Sequence, residues 1–172
     1  EKPIALNAKE AQIMFDTAKE NGVTLMEAFA YQHSPYIKAV RKEIEDGTIG
    51  DIRYLEAALI TSDYDPKNIR MRRDTFGGCT YDLGVYCSSL ILRMTGKEPV
   101  KLQAVSTFSE EHIDLYTTVL MEYADGARAN IDCGMVLATE KNSALDRFQI
   151  HGTKGSIKSV EFGFNCPGEL SY

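Results

Sequence analysis

A carboxylate and a phenol stand four residues apart just after two consecutive glycines, in the stretch of the chain best suited to chemistry. The residues are Asp82 and Tyr86, and the glycines are Gly77 and Gly78. On a helix the two side chains would lie one turn apart on one face, where they could act as an acid/base pair. The same spacing also fits a first-turn acid favoured by the helix dipole and a half-buried tyrosine that only packs. The residue types alone leave both interpretations open.

The residues after Gly78 predict a helix that ends at Gly96. Glycine permits backbone conformations that a side chain would forbid, so the pair can set the entry of the helix and Gly96 can stop it. Ser89 and Arg93 continue the face that carries the carboxylate and the phenol. An apolar stripe for packing would consist of Val85, Leu90, Ile91 and Met94.

The N-terminal part predicts an amphipathic helix followed by a short strand. Asn7 can cap a helix over residues 7–21, with Glu10 at the capping-box position and apolar residues at helical spacing. The apolar run 23–26 is too short for a helix and predicts a strand. A helix followed at once by such a strand is typical of the end of an α/β unit, whose earlier strands would precede residue 1.

The rest of the chain predicts an α+β domain. A helix is expected from Ser34-Pro35 to Asp46-Gly47, because serine caps helices and proline is favoured at their first position. A strand over 52–61 and a polar loop over 62–73 follow. Beyond Pro99 the pattern changes to strands with one apolar and one mixed face, so we expect an open, mostly antiparallel sheet with helices on one face. These strands are predicted over 100–108, 115–123, 127–135, 147–151 and 156–160.

Composition narrows the class of protein. The 172 residues are 44% hydrophobic and 26% charged, as in an ordinary globular protein, and the net charge of −6 argues against general nucleic-acid binding. No apolar run approaches the roughly 18 residues of a membrane span, so no membrane partner is expected. The four cysteines form no C-x-x-C pair, and the sequence shows no signal peptide. We therefore expect reduced thiols and a cytoplasmic location.

The three histidines do not suggest a metal site. His33, His112 and His151 lie in separate segments without the spacing of metal ligands. We therefore predict no bound metal. His33 is the best candidate of the three for a role in a site, because it follows the segment that leads into the expected cleft.

Taken together, these segments resemble the glucose-fructose oxidoreductase/inositol dehydrogenase family, which includes dihydrodiol and xylose dehydrogenases. The N-terminal Glu1-Lys2-Pro3 resembles the family's E-K-P motif, which follows the fifth strand of a Rossmann domain. The glycine pair with Asp82, Gly84 and Tyr86 resembles its G-G-G-x-x-x-D-x-G-x-Y signature. Further matches in the same order lie at residues 7–11, 25–29, 49–52, 68–70, 125–126 and 152–157.

This resemblance implies an NAD(P)-dependent dehydrogenase of sugars, polyols or related diols. The family's catalytic residues fall on Lys2, Asp82 and Tyr86, and Lys2 and Pro3 are implied at the cofactor, which is NAD or NADP. Many relatives carry histidine at the tyrosine position, and tyrosine is typical of the dihydrodiol and xylose dehydrogenases. Hydride transfer at a carbinol carbon needs a proton donor or acceptor at its oxygen, while the cofactor handles the hydride. A free tyrosine has a pKa of about 10, which a nearby lysine cation would lower.

Several positions depart from the family pattern and bear on the substrate. Cys79 replaces the third glycine, while Ala30 and Gln32 stand where a bulky residue and an arginine are common. We expect Gln32 and His33 beside the substrate. Arg70 could bind an acidic group of the substrate, although a solvated loop face fits it as well.

The resemblance also implies a domain organisation and a partner. Residues 1–28 would be the remnant of a dinucleotide-binding Rossmann domain, and residues 29–172 a substrate-binding and oligomerisation domain. The family's glycine-rich cofactor loop does not occur in this sequence, so we expect the chain alone to be inactive. Relatives pair through the open sheet face, which predicts a homo-oligomer. Two alternatives remain: a non-catalytic binding or assembly module of the same fold, and a metal-dependent enzyme, which the scattered histidines disfavour.

Overall fold

The computed structural model describes residues 1–62, 64–137, 144–159 and 170–171. Three α-helices lie within these ranges: α1 (Ala8–Glu20), α2 (Pro35–Glu45) and α3 (Val85–Thr95). The predicted caps of the first two are confirmed, because the side chain of Asn7 accepts from the backbone of Glu10 and that of Ser34 from the backbone of Tyr36. Gly96 ends α3 in the left-handed conformation, as expected of a helix-stopping glycine.

One open sheet forms the other layer. Its strands are β1 (Ile52–Ser62), β2 (Lys101–Phe108), β3 (Asp114–Glu122), β4 (Arg128–Leu137), β5 (Ala144–Gly152), β6 (Ser156–Ser159) and β7 (Leu170–Ser171). Their order in the sheet is β2-β3-β4-β1-β5-β6-β7. Among the described strands, only β1 and β4 pair in parallel, and the other neighbours are antiparallel. The predicted α+β class with a mostly antiparallel sheet is therefore confirmed.

The core lies between the helices and one face of the sheet. Strand residues whose side chains point toward the helices are buried, such as Met121 of β3 and Ile131 of β4. Leu120, the neighbour of Met121 along β3, points to the other face and is 55% exposed. The predicted division into an apolar and a mixed sheet face is therefore confirmed. From the helices, Ile37 and Leu90 reach full burial in this core.

The strand predicted over 23–26 is wrong. The backbone there is not in a strand, and Val23 and Met26 are 61% and 65% exposed. A strand needs a neighbouring strand for its backbone hydrogen bonds, and no described segment pairs with this one. The adjoining α1 buries only Ala18 and leaves Phe15 43% exposed. Both elements thus present apolar surface that the described residues do not cover.

Two further observations concern the last predicted strand and the length of the helices. The last residue of the strand predicted over 156–160 lies outside the described residues. In the described part of the chain, no helix is long and apolar enough to cross a membrane.

Candidate active site

The helix that carries Asp82 and Tyr86 begins with a π-helical turn, Thr80–Gly84, which continues directly into α3. A π turn has wider hydrogen bonding than an α-helix, and such turns are frequent at functional sites. The sequence spacing predicted the helix but not this turn.

The two glycines before the turn are required by close backbone contacts. A Cβ atom on Gly77 would lie 2.3 Å from the carbonyl oxygen of Arg70. Gly78 has φ +126°, a conformation that side chains rarely adopt, and its N–H donates to the same carbonyl at 2.9 Å. The glycine pair therefore lets the preceding loop fold back against the helix start, with Arg70 beside it.

Asp82 is held by two cations that come from separate parts of the chain. Lys2 Nζ lies 2.8 Å from Asp82 Oδ1 and also donates to the Asp82 carbonyl. Arg70 Nε donates to Asp82 Oδ2 at 2.6 Å. The lysine and the aspartate side chains are only 13% and 14% exposed, so this pair is shielded from solvent much better than a surface ion pair. Both carboxylate oxygens of Asp82 are thus engaged.

The segment that carries Lys2 is fixed by two further contacts. The N–H of Ile4 donates to Glu27 Oε1 at 2.9 Å, and Tyr81 OH donates to the carbonyl of Leu6. These bonds tie the N-terminal residues to the segment before α2 and to the π turn. They explain how a lysine at the very start of the chain reaches the helix.

Tyr86 lies between this charged group and an aromatic cluster. Lys2 Nζ sits over its ring, 4.6 Å from the ring centroid, a distance typical of a cation–π contact. On the other side Phe29 packs edge-on at 5.5 Å between ring centroids, and the Tyr31 ring lies at 6.2 Å. The sequence did not predict this cluster, although two aromatic residues flanking Ala30 were visible in it.

The pKa of Tyr86 is raised, which is the opposite of what we expected from a nearby lysine. Burial is the main cause, the negative charges of Asp82 and Glu1 add to it, and Arg70 acts in the other direction. The ammonium of Lys2 is committed to Asp82 and to the face of the ring, not to the phenol oxygen. In this structure the side chain of Tyr86 is therefore a protonated phenol at neutral pH.

Gln32 belongs to a network of polar side chains around Ser89. Its Nε2 donates to Ser89 Oγ at 3.0 Å, and Tyr31 OH shares a hydrogen bond with the same oxygen at 2.8 Å. Arg93 donates to Gln32 Oε1 at 3.3 Å. Ser89 and Arg93, predicted to continue the face of Tyr86, thus contact Gln32 and Tyr31. That Gln32 binds substrate stays a prediction.

The remaining predicted site residues have different surroundings. Arg70 and Pro3 line the same cleft, of about 690 Å³, which runs between residues 1–6 and the 69–78 loop and reaches Lys2 and Asp82. His33 is exposed at the end of the turn Ala30–His33, and its side chain forms no hydrogen bond with the described residues. A substrate contact of His33 also stays a prediction.

Three cysteines are free thiols buried in the core: Cys79, Cys87 and Cys133. Burial raises the pKa of the Cys87 thiol, so it is not a reactive nucleophile. Cys79, at the position of the family's third glycine, lies at the helix start with its Sγ 3.2 Å from Asp114 Oδ2. The described residues contain no group of three or more histidine, cysteine, aspartate or glutamate side chains that could hold a metal ion.

Known proteins similar to this chain include trans-1,2-dihydrobenzene-1,2-diol dehydrogenases. The enzyme of Mus musculus is 33% identical over 158 residues, which cover 90% of this chain and 45% of the mouse protein. The enzyme of Sus scrofa is 30% identical over 172 residues, covering 99% of this chain and 49% of the pig protein. The chain thus spans about half the length of the curated relatives it matches.

Solved structures of oxidoreductases share the fold. An aldose-aldose oxidoreductase from Caulobacter crescentus, complexed with glycerol, superposes with a TM-score of 0.83 at 21% identity, over 99% of this chain and 54% of that one. A levoglucosan dehydrogenase in complex with NADH and levoglucosan gives a TM-score of 0.77 at 23% identity, over 92% of this chain and 46% of the other. At these identities the likeness concerns the fold. The sequence profile of the GFO/IDH/MocA C-terminal domain matches residues 37–158, and the chain therefore belongs to this family of oxidoreductases.

Proposed function

We propose that the full-length protein is an NAD(P)-dependent dehydrogenase that acts on a sugar, polyol or diol, with Lys2, Asp82 and Tyr86 as its catalytic residues. One observation carries this proposal: Lys2 contacts both Asp82 and Tyr86, although 80 residues separate it from the aspartate. The names of the relatives support the substrate class, since they are dehydrogenases of a diol and of an anhydrosugar.

Tyr86 is the residue suited to move the proton. Its raised pKa keeps the phenol protonated at neutral pH, so it can donate a proton to a carbonyl oxygen as the substrate is reduced. In the oxidising direction the phenolate must form first, which favours alkaline pH. Asp82 has both oxygens bound by Lys2 and Arg70, and it therefore acts as an electrostatic anchor and not as the base.

The residues present fit the reacting end of a nicotinamide cofactor. Lys2 and Pro3 border a cleft of about 690 Å³, within the usual size of ligand sites, and the cleft leads to Asp82. The cofactor would accept or supply the hydride there. Its pyrophosphate is normally bound by a G-x-G-x-x-G turn, which does not occur in these 172 residues.

Substrate binding is proposed at Arg70, Gln32 and His33. Arg70 supports this best, because its side chain is 38% exposed, lines the cleft and already holds Asp82. A guanidinium in this place can donate to a substrate oxygen while it keeps the carboxylate oriented.

The direct test is a screen of the full-length protein. We expect NAD⁺ or NADP⁺ to be reduced with at least one member of a panel of aldoses, polyols and cyclic diols, followed by absorbance of the reduced cofactor. Binding of panel members without any turnover would instead favour a non-catalytic module of the same fold. Turnover that depends on an added divalent metal would contradict the assignment of proton transfer to Tyr86.

Residues 1–28 are proposed to belong to the dinucleotide-binding domain, and the rest to the substrate domain. The uncovered apolar surface of α1 supports this division. Residues 1–172 alone should therefore be inactive and should bind NADH and NADPH weakly or not at all, because the pyrophosphate turn is missing from them. Isothermal titration calorimetry checks this, and micromolar affinity for either cofactor would overturn it.

We also propose a cytoplasmic homo-oligomer that pairs through the open sheet face. The face exposes Val105 by 77% and Leu120 by 55%, more apolar surface than water-facing strands usually leave uncovered. The three buried free thiols support a reducing compartment. Light scattering of a Leu120→Glu variant should show dissociation, whereas Leu92→Glu, a control at a 45% exposed position of α3, should not. A monomeric wild type would contradict the proposal.

A further inference from the structure

Asp114, the first residue of β3, lies against the start of the helix that carries the catalytic residues. Its Oδ2 accepts from the backbone N–H of Thr80 at 2.8 Å and from the thiol of Cys79 at 3.2 Å. More than thirty residues separate it from this helix start, and no sequence pattern pointed to the contact.

Gly78 is matched to this carboxylate. A Cβ atom at Gly78 would lie 1.9 Å from Asp114 Oδ1, so the aspartate occupies the space that any side chain would need. The positive φ of Gly78 requires glycine independently. One glycine thus allows the turn and at the same time admits the carboxylate.

Helix starts need such a partner, because their first N–H groups have none within the helix. The N-cap position, Cys79, forms no side-chain cap hydrogen bond with the backbone of the helix. The N–H of Gly78 donates to the carbonyl of Arg70 at 2.9 Å, and that of Thr80 to Asp114. An anion is also favoured at this end by the helix dipole. Asp114 therefore does from a neighbouring strand what a capping side chain normally does within the helix.

We propose that Asp114 is a positioning residue of the active site: it fixes where the helix begins and thereby holds Asp82 in reach of Lys2 and Arg70. Thr80, which Asp114 binds, stands two residues before Asp82 in the same turn. Lys2 and Arg70 lie on other segments, so a shift of the first turn changes their distances to Asp82 directly. The inference rests on the proposed function, in which these contacts orient the site around Tyr86.

Three substitutions in the full-length protein separate position from charge. Asp114→Asn keeps an oxygen in place for Thr80 and removes the charge. Asp114→Glu keeps the charge and moves the oxygen by one methylene. Asp114→Ala removes the acceptor. Asp125→Ala is the matched control, since Asp125 also accepts a backbone N–H, that of Ala127, but in the hairpin at the far end of β3.

We expect the asparagine variant to stay within about twofold of the wild-type kcat, because asparagine and aspartate cap helices equally well. The glutamate and alanine variants should lose about 10- to 100-fold in kcat, as a displacement near 1 Å commonly costs, with the KM for the cofactor unchanged. In both variants the alkaline limb of the pH–rate profile should move, because the negative charge of Asp82 contributes to the pKa of Tyr86 and its distance from the phenol changes. The Asp125→Ala control should change none of these quantities. If the alanine variant does not fold, the contrast between asparagine and glutamate decides.

Hydrogen exchange gives a readout that does not need activity. The amides of residues 79–84 should exchange faster in the alanine and glutamate variants than in wild type and Asp114→Asn, with those of residues 87–95 unchanged. A protein that turns over no substrate but shows this pattern refutes the proposed function and leaves the placement of the helix start intact. Wild-type kcat and exchange in Asp114→Ala, or equal losses in the asparagine and alanine variants, would overturn the positioning role.

Discussion

Tyr86 has two groups of neighbouring side chains, one charged and one neutral and aromatic, on its two sides. On one side Lys2, Asp82 and Arg70 form a charged group that borders a cleft of about 690 Å³. On the other, Phe29 and Tyr31 pack against the ring, and Tyr31 is only 3% exposed. The ring of Tyr86 is therefore in contact both with a charged group that borders the cleft and with aromatic side chains of the core.

This difference assigns separate tasks to the two sides. Charged groups at a cleft can respond to charge that develops on a substrate, and their effect is strong where water is partly excluded. Neutral aromatic packing cannot do so, but it holds the ring in one orientation. Substitutions on the charged side should thus change rate and pH dependence, and those on the neutral side should change stability.

The largest effect is expected from removing the phenolic hydroxyl of Tyr86, the group proposed to transfer the proton. Tyr86→Phe keeps the ring, its packing and the cation–π contact with Lys2, and it removes only the hydroxyl. The value of kcat should fall by roughly 10²- to 10⁴-fold, with cofactor binding nearly unchanged. Steady-state kinetics with the substrate found by screening provides the measurement. Tyr54→Phe, at an exposed position of β1 outside the site, is the control, and wild-type turnover in Tyr86→Phe would reduce Tyr86 to a packing residue.

Local sequence signals were sufficient for the helices and most strands. The cap residues Asn7 and Ser34 marked two helix starts correctly, because capping involves only neighbouring residues. Alternation also gave the buried and exposed faces of β3 and β4. The strand predicted over 23–26 failed because a strand depends on partners that a local pattern does not contain.

The site was predicted less completely than the fold. The resemblance named Lys2, Asp82 and Tyr86, and the structure brings them together. The Arg70–Asp82 ion pair depends on how a loop folds back over two glycines, which spacing cannot give. The contact of Asp114 with the helix start depends on the packing of a strand against that helix, so it was equally invisible.

A smaller effect should follow from removing a cation of the charged side. Arg70 lowers the pKa of Tyr86, both by its own charge and by partly neutralising Asp82. In Arg70→Met the pKa of Tyr86 should therefore rise, and the ascending limb of the pH–rate profile for substrate oxidation should move to higher pH. A pH–kcat profile checks this, with Arg73→Met, on the exposed part of the same loop, as the control. A shift to lower pH would contradict the arrangement described here.

On the neutral side, Tyr31→Phe should affect stability more than rate. Its hydroxyl shares a 2.8 Å hydrogen bond with Ser89, and Ser89 keeps a second partner in Gln32. Loss of such a bond costs about 1 kcal/mol of unfolding free energy. Urea denaturation measures it, with Tyr54→Phe as an exposed control that should change the free energy by less than about 0.5 kcal/mol. A loss of kcat comparable to that of Tyr86→Phe would show that the neutral side takes part in the chemistry.

The smallest effect is expected at His33, which is exposed and whose side chain forms no hydrogen bond with the described residues. His33→Ala should leave the free energy of unfolding within about 0.5 kcal/mol of wild type, as exposed substitutions usually do. If His33 makes at most a weak contact with the substrate, KM should rise by less than about tenfold, the equivalent of 1.4 kcal/mol of binding. Denaturation and substrate titration of one variant measure both quantities. A larger rise in KM with unchanged stability would place His33 on the substrate and extend the ligand-directed side of the site beyond the charged group.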